Sequence, residues 1–385
     1  MRCGVFFFGG VEMPDRGAGP PAPMARRSQQ SDFWGVQERL VELGVRAEAL
    51  GYDSYWLAEH HFQYEGYEVV PNGILLGAFV AARTSRIRIG TLFNIVPQWH
   101  PLRLAEDFAT LHNLSGGRAV LGVGRGTVPR EMESLSTTHV SVGSFDNPDR
   151  DADVRNREVF EECMEIVRLA LGQDEFAFRG KFFELPPDTV ADRGEVVEHL
   201  TLVPRPKYPY EIWQAVTSPP TLEYVPRVGH GAVFWNFHHS FVRRFWDRYE
   251  ELWLEHQQAP LARGEKRMLV LNVRVEDSHE AAFRKARPGH DEFWKFLGPY
   301  GWSRGYMGPD GKPSPPGLIP TLEQSVEQRS WLVGTAEEVA AGIDFHREAL
   351  GLEQLAIFPN FPGDPYDETE EQMARIAEEV LPMVT

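Results

Sequence analysis

The chain has 385 residues, enough for one large α/β barrel or two ordinary domains, with the apolar content of a globular protein. Its 39 Lys and Arg against 56 Asp and Glu give a formal charge of −17, which disfavours nonspecific binding of nucleic acid or an anionic membrane. No apolar run approaches the ~18 residues that span a bilayer. The start lacks the basic region and long apolar core of a signal peptide. The two cysteines, Cys3 and Cys163, support neither a disulfide framework nor a thiolate metal site, so a reducing cytoplasmic setting is expected.

Residues 1–8 read as a buried strand centred on Val5-Phe6-Phe7-Phe8, and 9–30, rich in Gly, Pro, Ala and Arg, as a long loop. Val36, Leu40, Leu43, Ala47 and Leu50 recur at steps of three and four, which predicts a helix over 33–50 that Gly51 ends. Strands are expected at 54–57, 87–91 and 119–123, with helices at 74–82 and 102–114 between them. Residues 127–150 read as a polar loop and 154–171 as a helix, followed by a hairpin arm over 176–183 that turns at Arg179-Gly180. Further strands fall at 212–215, 232–235, 268–275 and 354–358, alternating with helices at 221–228, 241–254, 336–350 and 368–380. Residues 286–328, rich in Gly, Pro, Trp and Tyr, read as an insertion or lid over a site. Eight strands alternating with helices predict a single (β/α)8 TIM barrel over 1–385, with insertions at the C-terminal face of the strands; an open doubly wound sheet is the rival.

Trp56-Leu57-Ala58-Glu59-His60-His61-Phe62 spans the end of the second strand and the loop after it, where barrels build active sites. An imidazole there can move protons near neutral pH; the plainer reading is a surface histidine pair. Gly122-Val123-Gly124-Arg125-Gly126 closes the fourth strand. Its third glycine is misplaced for a dinucleotide fingerprint. It reads either as a glycine-lined strand end where Arg125 meets a phosphate, or as a tight turn with a solvated arginine. Thr217-Ser218-Pro219-Pro220-Thr221 opens a helix, as an anion site or an ordinary N-cap. Gly90-Thr91-Leu92-Phe93-Asn94 closes the third strand, as a wall for a ring system or as core. No metal site is expected, because the histidines of His60-His61 and His238-His239 are adjacent and their side chains diverge.

In order along the chain, the blocks Gly51 through Phe62, Ile89-Gly90-Thr91, His100 through Asp107, Leu114-Ser115-Gly116-Gly117-Arg118, Leu121 through Gly126, Thr217-Ser218 with Thr221, and Val333 through Val339 resemble the bacterial luciferase-like family of flavin-dependent monooxygenases. The resemblance implies a barrel with FMN at the C-terminal strand ends, usually delivered reduced by a separate flavin reductase. It implies reaction of reduced FMN with dioxygen to a flavin 4a-peroxide that oxygenates a small to medium organic substrate. It implies a catalytic role for His60, with His61 and Glu59 beside it. Arg125 matches a phosphate-binding arginine, Ser218 and Thr221 match phosphate contacts, and Thr217 adjoins them. Leu92-Phe93 matches a pair joined by a cis peptide beneath the flavin, with Asn94 next to it, and Gly124 stands where luciferase has a cysteine.

A homodimer is expected from the same resemblance. Residues 9–30 and 286–328 are this chain's own, and Phe293, Trp294, Tyr300, Trp302 and Tyr306 point to an apolar, lidded pocket. A deazaflavin-dependent dehydrogenase on the same barrel is the first alternative, and a non-catalytic flavin-binding protein the second.

Overall fold

The strand Arg2–Phe7 pairs in parallel with Ser54–Leu57 on one side and with Gln354–Phe358 on the other, so the first and last strands of the chain are neighbours. From Ser54–Leu57 the ladder continues through Arg88–Thr91, Ala119–Gly124, Ile212–Ala215, Gly231–Phe234 and Arg267–Val275, and returns to Gln354–Phe358. Eight parallel strands thus close into a barrel, as expected. The structure, a computed structural model, describes residues 1–18, 28–142, 150–308, 312–315 and 317–384. Most strand residues are buried, because side chains fill the barrel on one face and helices cover the other. That double burial is why the strands read as short continuous apolar runs.

The expected helices are present; two of them, Arg150–Gly172 and His239–Gln257, are about a turn longer than their apolar pattern. The first is split at Gly35 into Gln30–Trp34 and Val36–Ala49, and buries Val36, Leu40, Leu43 and Ala47. Among the described residues no helix is long and apolar enough to cross a membrane.

Four readings change. Residues 286–297 belong to the helix His279–Leu297, capped by Ser278, so the inserted segment begins at Gly298. Pro288 and Gly289 inside that helix, with aromatics around them, obscured its period. Phe293 and Trp294 are therefore core residues of the helix, and Tyr306 packs edge-on against Trp294. Second, Trp331–Gly334 forms a further parallel strand on Asn272–Val275, extending the edge that Gly231–Phe234 occupies lower down. Third, the polar stretch 127–150 contains a helix, Pro129–Leu135; residues 143–149 lie outside the described residues. Fourth, the hairpin arm pairs Phe178–Arg179 with Glu184–Leu185, so its turn follows Arg179.

Of the loop 9–30, residues 19–27 lie outside the described residues. Its first part is held by the Gly17 N–H, which donates to the buried Glu292 at 2.9 Å. After Gly298 the chain crosses the C-terminal mouth of the barrel in two 3-10 turns, Gly298–Tyr300 and Trp302–Gly305. Gly305 is pressed on Phe237, where a Cβ would come within 1.8 Å of the ring. The Gln328 amide brackets the backbone of Met307 at 2.9 and 2.8 Å. These contacts fix Trp302 over the strand ends.

Candidate active site

Beyond Leu57 the chain stays extended, so successive side chains leave on opposite sides. Glu59 and His61 take one side. There the buried Glu59 carboxylate accepts the Trp99 Nε1–H at 2.9 and 3.1 Å, and His61 Nε2 lies 3.3 Å from it. His60 takes the other side and lines a cavity over the barrel mouth. The sequence placed all three residues in the catalytic group; the structure gives only His60 a wall of this cavity.

The His60 ring is held between two buried carboxylates. Nδ1 is 3.1 Å from both oxygens of Glu131, and Nε2 is 2.9 Å from Oε2 of Glu68. Glu131 arrives from the helix Pro129–Leu135 and also accepts the Gln63 amide at 2.6 Å. Burial disfavours charge on His60, but Glu131 and Glu68 outweigh it and hold the imidazole well above its usual range. Burial opposes charge on Glu131 too, yet His60, Gln63 and the His61 backbone N–H keep it below the usual carboxylate range. On Glu68 burial is the larger influence and the neighbouring Glu131 adds to it; His60 favours its charge but does not offset them, and it rises to about 7.

Around His60 the cavity wall is apolar: Phe8, Leu92, Phe93, Trp235, Phe296 and Trp302 are its main faces. The Leu92-Phe93 peptide is cis. Behind Phe93, Ile95, Thr127, Tyr300 and Trp302, which it shares, lies a second, polar cavity lined by Gly124, Arg125, Gln214, Thr217 and Thr221. The two cavities lie side by side across the strand termini and share these five walls. Gly122 lets the fourth strand approach the third, since a Cβ there would fall 1.6 Å from the Thr91 carbonyl oxygen.

In the polar cavity Arg125 is largely buried and donates to Asp153 at 2.8 Å and to Asn156 at 3.3 Å. Thr217 and Thr221 flank the start of the helix Pro219–Arg227; Pro219 and Pro220 carry no N–H and the Leu222 N–H is bonded to the Ser218 carbonyl, so this end offers an anion the threonine hydroxyls and the Thr221 N–H rather than a full turn of amides. Two expected contacts are not among the walls of either cavity. Ser218 turns its hydroxyl to Thr221, 3.0 Å away. Asn94 is buried and bonds Thr91 and the Gly122 carbonyl, tying the third strand end to the fourth.

The sequence missed Glu68, Glu131, Gln214 and Trp235 as site residues. Glu131 had a readable signal, since Val128-Pro129 with Glu131 two residues on is a helix start with proline in the first turn. Glu68 had none, because a turn at Gly66, with φ of 99°, returns the chain to His60. Tyr300 and Trp302 line both cavities, as their place in the proposed lid implied. Another hollow, at the N-terminal ends of the strands, is lined by Arg168, Glu211, His230 and Lys266. In barrels that face carries stability rather than chemistry. Among the described residues no group of three or more His, Cys, Asp or Glu is arranged to hold a metal ion.

The family model described as luciferase-like monooxygenase matches residues 1–354. A 4-hydroxyprotoasukamycin monooxygenase from Streptomyces nodosus subsp. asukaensis is 27% identical over 327 residues, 81% of this chain and 77% of that protein. An F420-dependent glucose-6-phosphate dehydrogenase from Kineococcus radiotolerans is 28% identical over 217 residues, 56% of this chain and 57% of that protein. The chain spans only 51% and 57% of the length of two of the curated relatives it matches. Among solved structures, the oxygenating constituent of 3,6-diketocamphane monooxygenase from Pseudomonas putida, a type II Baeyer-Villiger enzyme in complex with FMN, superposes with a TM-score of 0.73 at 20% identity, covering 100% of this chain and 99% of that one. At that identity the likeness concerns the fold alone.

Proposed function

The chain belongs to the luciferase-like monooxygenase family, and on that footing we propose that it is an FMN-dependent monooxygenase using reduced flavin and dioxygen to oxygenate a small to medium organic substrate. The observation that carries this reading is the pair of adjoining cavities at the strand ends, one cationic and hydroxyl-lined, the other apolar and bounded by His60, which together would form the cleft for a flavin. A flavin mononucleotide has that same polarity, with a phosphate at one end and a flat ring system at the other. The FMN of the structural neighbour and the oxygenase component named among the relatives, a flavin-dependent trigonelline monooxygenase from Acinetobacter baylyi, support it.

The residues fit the cofactor. Arg125, Thr217 and Thr221 would hold the phosphate, with Gly124 and Leu92-Phe93 against the ring. Bound reduced FMN would supply the electrons and the carbon that reacts with dioxygen. His60, kept protonated chiefly by Glu131, donates a hydrogen bond or a proton to oxygen in the cleft. Trp235, Phe296 and Trp302 exclude water from it. The inserted turns from Gly298 act as the lid, and the apolar wall favours an uncharged substrate.

A separate flavin reductase, a cytoplasmic setting and a homodimer complete the reading. Leu75 and Phe79, one turn apart and both exposed on the helix Gly73–Arg83, suit a surface that a second copy covers. The F420-dependent relative favours the deazaflavin alternative. Absorbance titrations with FMN and with deazaflavin, followed by dioxygen uptake with chemically reduced FMN, separate the readings. Binding of deazaflavin alone would overturn the FMN assignment.

A further inference from the structure

Resting on the reading of His60 as the acid/base group, we propose that Glu68 is its positioning partner and proton store, a carboxylic acid at rest that returns to Nε2 the proton His60 gives up.

The two carboxylates beside His60 are unequal. Glu131 is held as an anion: it faces Nδ1 with both oxygens and accepts the Gln63 amide at 2.6 Å. Glu68 faces His60 alone, with no second donor such as Gln63. Its Oε2 stands 2.9 Å from His60 Nε2 but out of line, and among the described residues neither of its oxygens has a hydrogen-bond partner. Glu68 is 2% exposed. A carboxylate so buried without a second donor is costly, and taking up a proton removes most of the cost.

Among the described residues His60, which Glu68 shares with Glu131, is the one cation beside it. Arg130, on the same helix as Glu131, is engaged by both oxygens of Glu65 at 3.0 Å. Tyr300, facing the group from the inserted segment, is pushed up to about 12 by burial and stays neutral. Phe296 stands roughly perpendicular to the His60 ring and adds no charge. Charge then balances with His60 positive, Glu131 negative and Glu68 neutral, and the rise of Glu68 to about 7 agrees with this.

The sequence of transfers follows. His60 gives its Nε2 proton to an oxygen in the cleft and keeps Nδ1–H on Glu131. The Nε2 lone pair then takes the proton from Glu68, after a small rotation brings the two into line. Glu68 is left as a carboxylate and recovers a proton from water. No electrons are transferred. The competing account makes Glu68 a permanent anion that only orients the ring.

Infrared spectra of the ligand-free full chain, titrated through neutral pH, decide between these accounts. The expected result is a band from a buried protonated carboxyl group that fades as pH rises through about 7 and is missing from Glu68→Gln, a substitution of nearly the same shape. No such band in the wild-type protein, or an unchanged band in Glu68→Gln, overturns the proposal. Buried Asp364 is also raised, to about 6, so if Glu68→Gln fails to fold, Glu68→Asp assigns the band: it should move the band in frequency and titration, and an unmoved band overturns the proposal. A second arm measures dioxygen uptake by the reduced-FMN complex. The wild-type rate should fall as pH rises through that range, while Glu68→Gln should be ~10-fold slower and flat there. Identical profiles would also overturn it. Failure of the His60 reading shows separately, as a His60→Ala variant with an unchanged dioxygen reaction, and leaves the infrared result standing.

Discussion

The Nδ1 atom of His60 lies 3.1 Å from each carboxylate oxygen of Glu131, a residue 71 positions further along the chain. The contact joins the end of the second strand to the helix after the fourth and fixes the ring over the barrel mouth. It also sets the charge of the candidate site.

Replacing Glu131 by Gln should therefore lower the His60 titration. A lost charge-assisted bond of ~1.5–3 kcal/mol corresponds to ~1–2 pH units. The sign for stability follows from the directions of the two shifts. His60 is raised, so its contribution is full below the ordinary histidine range and is lost as pH rises through the raised value. Glu131 is lowered, so its contribution is present above the ordinary carboxylate range and is lost as pH falls through the depressed value. Urea unfolding should show the largest penalty of Glu131→Gln between those limits. A penalty that grows at alkaline pH would contradict the pairing.

Arg125→Ala should weaken FMN binding ~10- to 100-fold, the loss of one charge-assisted contact, and spare riboflavin. Asp153→Asn should act in the opposite sense, because Asp153 holds the Arg125 guanidinium at 2.8 Å and would repel a phosphate there. Fluorescence titrations check both. Equal effects on FMN and riboflavin would remove the phosphate from this end of the cleft.

The barrel was legible in the sequence because each strand is buried on both faces and each helix shows one apolar stripe. Ser54–Leu57 and Ile212–Ala215 match their apolar runs residue for residue. His60 was legible by position, at a strand end. The contacts of its carboxyl groups were not: the helix start that carries Glu131 had a local signal, but Glu68 and Glu131 reach His60 through a turn and a separate helix, and no local pattern encodes those contacts. The helix His279–Leu297 was half hidden by Pro288, which ordinarily breaks a helix but is carried here in an aromatic-rich segment packed against the core.

Trp302→Ala should leave flavin affinity within ~3-fold, because Trp302 covers the cleft through ring contacts with Trp235 and Phe237. Water should enter, and the reduced-FMN complex should release more hydrogen peroxide per dioxygen consumed. A peroxide assay showing no rise would mean that the inserted turns do not seal the site.

Phe79→Asp places a charge on the exposed apolar face of the helix Gly73–Arg83. If two copies meet there, light scattering should show the mass falling from dimer to monomer with the barrel intact. A dimer that persists would place the contact elsewhere.

The central claim is that reduced FMN binds this cleft and meets dioxygen under the control of His60. The most direct measurement mixes the reduced-FMN complexes of the wild type, His60→Ala and His61→Ala with dioxygen in a stopped-flow spectrometer and follows flavin absorbance. Return of the oxidised flavin spectrum should be slower in the wild type than in free FMN and ~10²-fold or more faster in His60→Ala, the scale of a positioned acid/base group. His61→Ala should follow the wild type, since His61 faces Glu59 and not the cleft. Failure to bind reduced FMN, or identical traces for all three proteins, would contradict the account.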